Sequence, residues 1–144
     1  MQKPKLFIGE LYTDERGEIR FVNEFNFRGV KRFYQIKNEN TSIIRAWQAH
    51  KVECKYFYVA SGTYAIAWVK IDDWFTPSNN LKAEWTILST SRPTVLFLPG
   101  GYANGIKAIE PNSLLMVYSN KTLLESNNDR YSFKNENWLD WNNV

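Results

Sequence analysis

The sequence predicts an all-β domain of the sandwich, jelly-roll or barrel kind, on three observations. Apolar and polar residues alternate with a period of two over many short runs. These runs are rich in Val, Ile, Tyr, Phe, Trp or Thr, and turn-forming residues separate them at regular spacing. Helical periodicity is visible only around Thr122 to Asn127.

In order along the chain, Ile19, Phe21 and Phe25 share one parity against Arg20 and Glu24. Val30, Arg32, Tyr34 and Ile36 form the next face, with Lys31, Phe33, Gln35 and Lys37 opposite. Strands are predicted over Ser42–Gln48, Lys55–Ala60, Tyr64–Ile71, Ala83–Ser89, Thr94–Leu98 and Leu114–Tyr118. Turns fall at Asp14–Gly17, Lys37–Asn40, Ser61-Gly62, Thr76–Asn80, Pro99–Gly101 and Glu110–Ser113. No repeat or linker interrupts them, so residues 1–144 read as one domain with a core over about 6–133 and a tail over 134–144. The tail carries Trp138-Leu139-Asp140-Trp141 among several Asn, placed to pack on the domain or to meet another protein.

Composition excludes several classes. The 44% hydrophobic and 23% charged residues fit a soluble globular protein. A net charge of +3, with no basic run beyond Lys31-Arg32, argues against nucleic acid. No apolar stretch approaches the roughly 18 residues of a membrane helix. The single Cys54 and the absence of signal-peptide features at the N-terminus point to the cytoplasm. Aromatic content of 16%, with six Trp, suits strands and also a cavity for sugars or bases.

Three stretches place clustered polar groups in strand-like sequence. In Arg45–Lys51, alternation puts Ile44, Ala46, Gln48 and His50 on one face and Arg45, Trp47, Ala49 and Lys51 on the other. Lys55 changes parity relative to His50, so a shared face needs a turn or bulge between them. In Leu98–Gly105, Pro99-Gly100-Gly101 turns tightly, and Tyr102 and Asn104 then point the same way. In Asp14–Gly17, a turn presents Arg16, a side chain suited to clamping phosphate. Elsewhere Lys51 and Glu53 read as a solvated pair, and Cys54 as a small buried apolar group. Most of Trp47, Trp68, Tyr56 and Tyr58 read as core or interface, with one or two lining a cavity.

These residues carry a resemblance. Gln48-x-His50, Lys55, Gly62 and Pro99-x-Gly101-x-x-Asn104 resemble degraded forms of the two cupin motifs. One histidine remains, too few for the usual metal site, so neither metal nor other cofactor is expected. Asp14-x-Arg16-Gly17 and Pro99–Gly105 resemble dTDP-4-dehydrorhamnose 3,5-epimerases. Arg32–Ile36 and Arg45–Lys51 resemble dTDP-4-keto-6-deoxyhexose 3,4-ketoisomerases. The resemblance implies a double-stranded β-helix (the cupin jelly roll), a homodimer, and a dTDP-linked or similar nucleotide-linked sugar as ligand.

It also implies isomerisation or epimerisation of a 4-keto-6-deoxy sugar through an enolate, in making sugars for cell-surface polysaccharide. Gln48 and Asn104 stand where the epimerases carry histidines, and neither titrates near neutral pH. His50 is therefore the expected base, since a neutral imidazole suits removal of a proton beside a carbonyl. Lys55, Arg45 and Tyr118 are expected to stabilise the enolate, with Tyr102 or Tyr118 as a second acid. Arg16 is expected on the nucleotide phosphates, Arg45 and Lys55 on phosphate or enolate charge, and Gln48, Tyr102 and Asn104 on the sugar. The rival expectation is a non-catalytic sugar-binding cupin, supported by the loss of the two histidines. A scaffold for a transferase, resting on the aromatic tail, is a third.

Overall fold

The computed structural model describes residues 2–144. Twelve antiparallel strands run β1 Lys5–Ile8, β2 Glu10–Asp14, β3 Gly17–Phe21, β4 Arg32–Ile36, β5 Ile44–His50, β6 Lys55–Ser61, β7 Thr63–Lys70, β8 Glu84–Ser89, β9 Thr94–Leu98, β10 Tyr102–Ala108, β11 Leu114–Ser119 and β12 Tyr131–Ser132. One sheet has the order β1-β9-β6-β11-β4, and the facing sheet has the order β12-β5-β10-β7-β8. Hairpin β2-β3 stands apart as a two-stranded ribbon. This is the expected jelly roll.

Alternation decides what lies between the sheets. Phe57, Val59, Leu115 and Val117 meet Ile66, Ile106, Ala108 and Leu88 in the main core. Hairpin β6-β7 turns at Gly62, whose φ of 73° favours glycine and where a Cβ would stand 2.1 Å from Ser113 Oγ. The short helix α1, Leu123–Asn127, occupies the one segment with helical periodicity. Thr122 and Glu125 close a capping box on it.

The second apolar layer lies on the outer face of the second sheet and absorbs the tail. Trp47, Ala49, Ala67, Val69 and Ala103 are covered by Trp138, Leu139 and Trp141. The indole N–H of Trp47 donates to the Asn137 carbonyl at 2.9 Å, and Lys107 donates to the Trp141 carbonyl at 3.0 Å. Gly105 admits this packing, since a Cβ there would sit 2.6 Å from the Trp141 ring. The tail is thus part of the domain.

Candidate functional site

Between β4 and β6 of one sheet and β5 and β10 of the other, the core opens into a cavity of about 380 Å³. Its apolar wall is Ile36, Phe57 and Ile106. Its polar lining is Arg32, Tyr34, Arg45, Gln48, Lys55, Asn104, Ser126 and Arg130. Four side chains of this lining are cations, which suits an anionic ligand in a partly desolvated space.

Gln48 and Asn104 reach the cavity as cross-strand neighbours, paired in register between β5 and β10. Arg45 reaches it against the predicted parity. Asn104 pairs with Gln48 but Ile106 with Arg45, so β5 carries one extra residue between them. This bulge returns Arg45 to the face of Gln48. Arg45 Nε then donates to Asn38 Oδ1 at 2.7 Å, which fixes the guanidinium.

Four placements correct the sequence reading. Tyr118 lies on the outer face of its sheet, packed against Phe25, Phe27 and Phe33. It alternates with Val117 and Ser119, which take the inner face, so it stabilises nothing in the cavity. Arg16 pairs with Asp14 at 2.6 Å in the β2-β3 turn, with 79% of its side chain exposed, and is not in the lining. Tyr102 shares the inner face with Asn104 but lines a separate cleft with Trp68 and Glu84. Burial and Glu84 push its phenol pKa up. Glu53, expected in solvent with Lys51, has a fully buried carboxylate.

That carboxylate is the hub beneath the cavity. Oε1 accepts from Ser119 Oγ at 2.7 Å and from Arg32 at 3.2 Å. Oε2 lies 3.8 Å from Lys55 Nζ and 3.0 Å from His50 Nε2. Burial alone would raise the Glu53 pKa, but Lys55, the Ser119 hydroxyl and His50 together bring it below the ordinary value. Two of the four cavity cations, Arg32 and Lys55, are therefore anchored from below by one buried carboxylate.

His50 sits behind this hub rather than in the cavity. It is 4% exposed and does not belong to the lining. Nδ1 lies 2.6 Å from the Asp129 carbonyl, and Nε2 meets Glu53, out of line for a good hydrogen bond. Burial and then Lys55 pull the imidazole pKa down, against the upward pull of Glu53 and Asp129. Both ring nitrogens thus face protein atoms, so as placed the ring offers no nitrogen to a ligand. Asp129 also accepts from the backbone N–H groups of Lys51, Val52 and Glu53 at 2.8–2.9 Å, which fixes the turn between β5 and β6.

Sequence reasoning missed Arg130, Ser126, Asp129 and the placement of Tyr34. For Tyr34 a signal existed, since alternation puts it on one face with Arg32 and Ile36. For the other three none did, because Ser126 lies in a short helix and Asp129 and Arg130 just after it, and the docking of that helix is a long-range event. Among the described residues, no three His, Cys, Asp or Glu side chains converge as a metal site needs.

Comparison with known proteins bears on the fold. No family model matches the sequence, and no curated protein matches it. Solved structures do. A sugar 3,4-ketoisomerase from Thermoanaerobacterium thermosaccharolyticum, in complex with TDP, is 17% identical with a TM-score of 0.68, covering 90% of this chain and 87% of that one. This chain shares the jelly-roll fold of that structure. An epimerase from Mycobacterium tuberculosis gives a TM-score of 0.76 at 14% identity, covering 96% of this chain and 74% of that one. The dTDP-4-dehydrorhamnose 3,5-epimerase from Bacillus anthracis, with TDP and pyrophosphate bound, gives 0.73 at 17%, covering 92% and 79%. The cupin jelly roll expected from motif order is thus the fold adopted.

Proposed function

We propose that the cavity binds a nucleotide-linked sugar and that the chain isomerises or epimerises a 4-keto-6-deoxy sugar held there, through an enolate. The observation that carries the ligand is the set of four cations, Arg32, Arg45, Lys55 and Arg130, around an amide-bearing wall. The exposed guanidinium of Arg45 and that of Arg130 suit a diphosphate by paired donors. Gln48 and Asn104 suit sugar hydroxyls, and Lys55 suits an enolate oxygen. Tyr34 is the phenol placed to exchange a proton with the bound sugar, in the role expected of Tyr118. His50 serves the site by packing against Glu53, which lies beside Lys55. The solved relatives with TDP bound support this choice of ligand. A cytoplasmic role in making sugars for surface polysaccharide accords with it.

A second reading, a non-catalytic nucleotide-sugar-binding cupin, has its own observation: the only imidazole is sealed and the two amides cannot act as bases. One experiment decides. The protein is incubated with dTDP-4-keto-6-deoxyglucose in deuterated water, and label at C3 and C5 is followed by NMR. Incorporation that falls with Tyr34→Phe supports the enzyme. Tight binding without incorporation assigns the binding protein, and absence of binding overturns both.

The unit proposed to do this is a homodimer. Hairpin β2-β3 exposes Leu11, Tyr12 and Ile19 at 43%, 54% and 59%, and an isolated two-stranded ribbon is marginal in water. Beside it, Phe27 and Phe33 are 61% and 64% exposed on the outer face of the first sheet. A second copy covering this apolar surface accounts for both, and gives Arg16 a ligand that its own cavity does not.

A further inference from the structure

The aromatic tail does more than cover the second sheet. Where it passes the 78–83 segment it leaves a cavity of about 850 Å³, on the opposite face of that sheet from the cationic cavity. Trp138 ties the two walls together. Its carbonyl accepts from the Ala83 N–H at 3.2 Å, and its indole N–H donates to the Ser78 carbonyl at 2.9 Å. Trp138 and Leu139 supply apolar surface to the cavity, and Asn79, Asn80, Asn135 and Asn142 supply amides.

The lining defines a ligand class. Of its charged groups, Lys82 stands against Glu136 and Asp140, so it offers no excess of positive charge to a phosphate. Asp140 is already engaged, accepting from Asn142 N and from Asn143 Nδ2 at 3.0 and 3.1 Å. Asn135 is engaged too, its Nδ2 donating to the Ile44 carbonyl at 3.3 Å. What remains is the planar amides of Asn79, Asn80 and Asn142, each with a donor and an acceptor in fixed relation, next to an indole. Vicinal hydroxyls present the matching donor and acceptor pairs, and the C–H face of a pyranose packs on aromatic and aliphatic carbon.

We propose that this cavity is a second binding site, for a neutral saccharide. It is independent of the cationic cavity in both location and charge. A protein with both sites holds an anionic sugar donor or its product on one face of a sheet and a neutral glycan on the other.

The test uses the full-length protein with maltotriose, cellotriose and N,N′,N″-triacetylchitotriose as probes, read by saturation-transfer NMR. At least one is expected to bind at roughly millimolar strength, the range of an open site that orders a flexible ligand. The double variant Asn80→Ala/Asn142→Ala is expected to weaken that binding about tenfold or more. Arg45→Ala and added TDP are expected to leave it unchanged. Absence of transfer from all three sugars overturns the proposal. So does displacement by TDP, which would place the sugar in the cationic cavity, and so does transfer indifferent to the double variant. None of these results touches TDP binding, which is measured separately on the same sample.

Discussion

At the scale of single residues, Glu53 decides how the cavity is charged. Its carboxylate is buried with an imidazole, an ammonium and a guanidinium around it. Removing one member of such a group leaves the others buried and unmatched. Glu53→Ala is accordingly expected to cost about 3–5 kcal/mol in urea unfolding. Glu53→Gln keeps the shape and hydroxyl contact but not the charge, and is expected to weaken Lys55 as an anion site through its altered orientation. Arg45→Ala removes a cavity cation without touching the hub. It is expected to lower TDP affinity by about 1.5–3 kcal/mol, tenfold or more by titration calorimetry, with unfolding little changed. A drop in stability equal to that of Glu53→Ala would refute this division of roles.

His50 makes part of this stability depend on pH. The unfolded imidazole takes up a proton near its ordinary value of 6.5, whereas burial and Lys55 hold the folded ring to a lower value. The unfolded state therefore binds more protons between the two values. The contribution is complete above the unfolded value and is lost as pH falls through that window. Glu53 and Asp129, held below their ordinary carboxylate values, lose their contribution further down the scale. A thermal melt series from pH 7.5 downward is expected to fall in two stages, and His50→Asn to remove the upper one.

At the scale of elements, the helix and the bulge show where sequence stops being sufficient. The Thr122–Glu125 capping box is local, and its helix was visible beforehand. Thr122→Ala is expected to cost about 1 kcal/mol in unfolding free energy. Strands β4 to β9 and β11 were legible within a residue or two because alternation and turns are also local. Arg45 was put on the wrong face because one extra residue in β5 inverts parity, and nothing in the segment marks it. Tyr118 was misplaced for a different reason. The run Leu114-Leu115-Met116-Val117-Tyr118 is apolar on both parities, so it carries no signal for inside against outside. Glu53 read as a surface charge because the groups that make its burial tolerable, Ser119 and Arg32, lie 66 and 21 residues away.

At the scale of the whole molecule, the two sheets cover each other's inner faces, and of their two outer faces one is covered and one is bare. The tail covers the outer face of the second sheet, and Gly105→Leu, which drives a side chain into Trp141, is expected to release it and expose tryptophan to acrylamide quenching. The outer face of the first sheet has no such cover. Phe25, Phe27 and Tyr118 pack edge to face there, with Phe27 and Phe33 more than half exposed. Apolar surface of this kind on a chain carrying only +3 has little charge repulsion to keep copies apart. A dimer through this face is expected by light scattering at tens of micromolar, and Phe27→Asp/Phe33→Asp is expected to give a folded monomer. Both substitutions fall on exposed side chains, so the monomer's circular dichroism should match the wild type. If the wild-type chain is already monomeric at that concentration, the dimer is wrong and Arg16 has no assigned ligand.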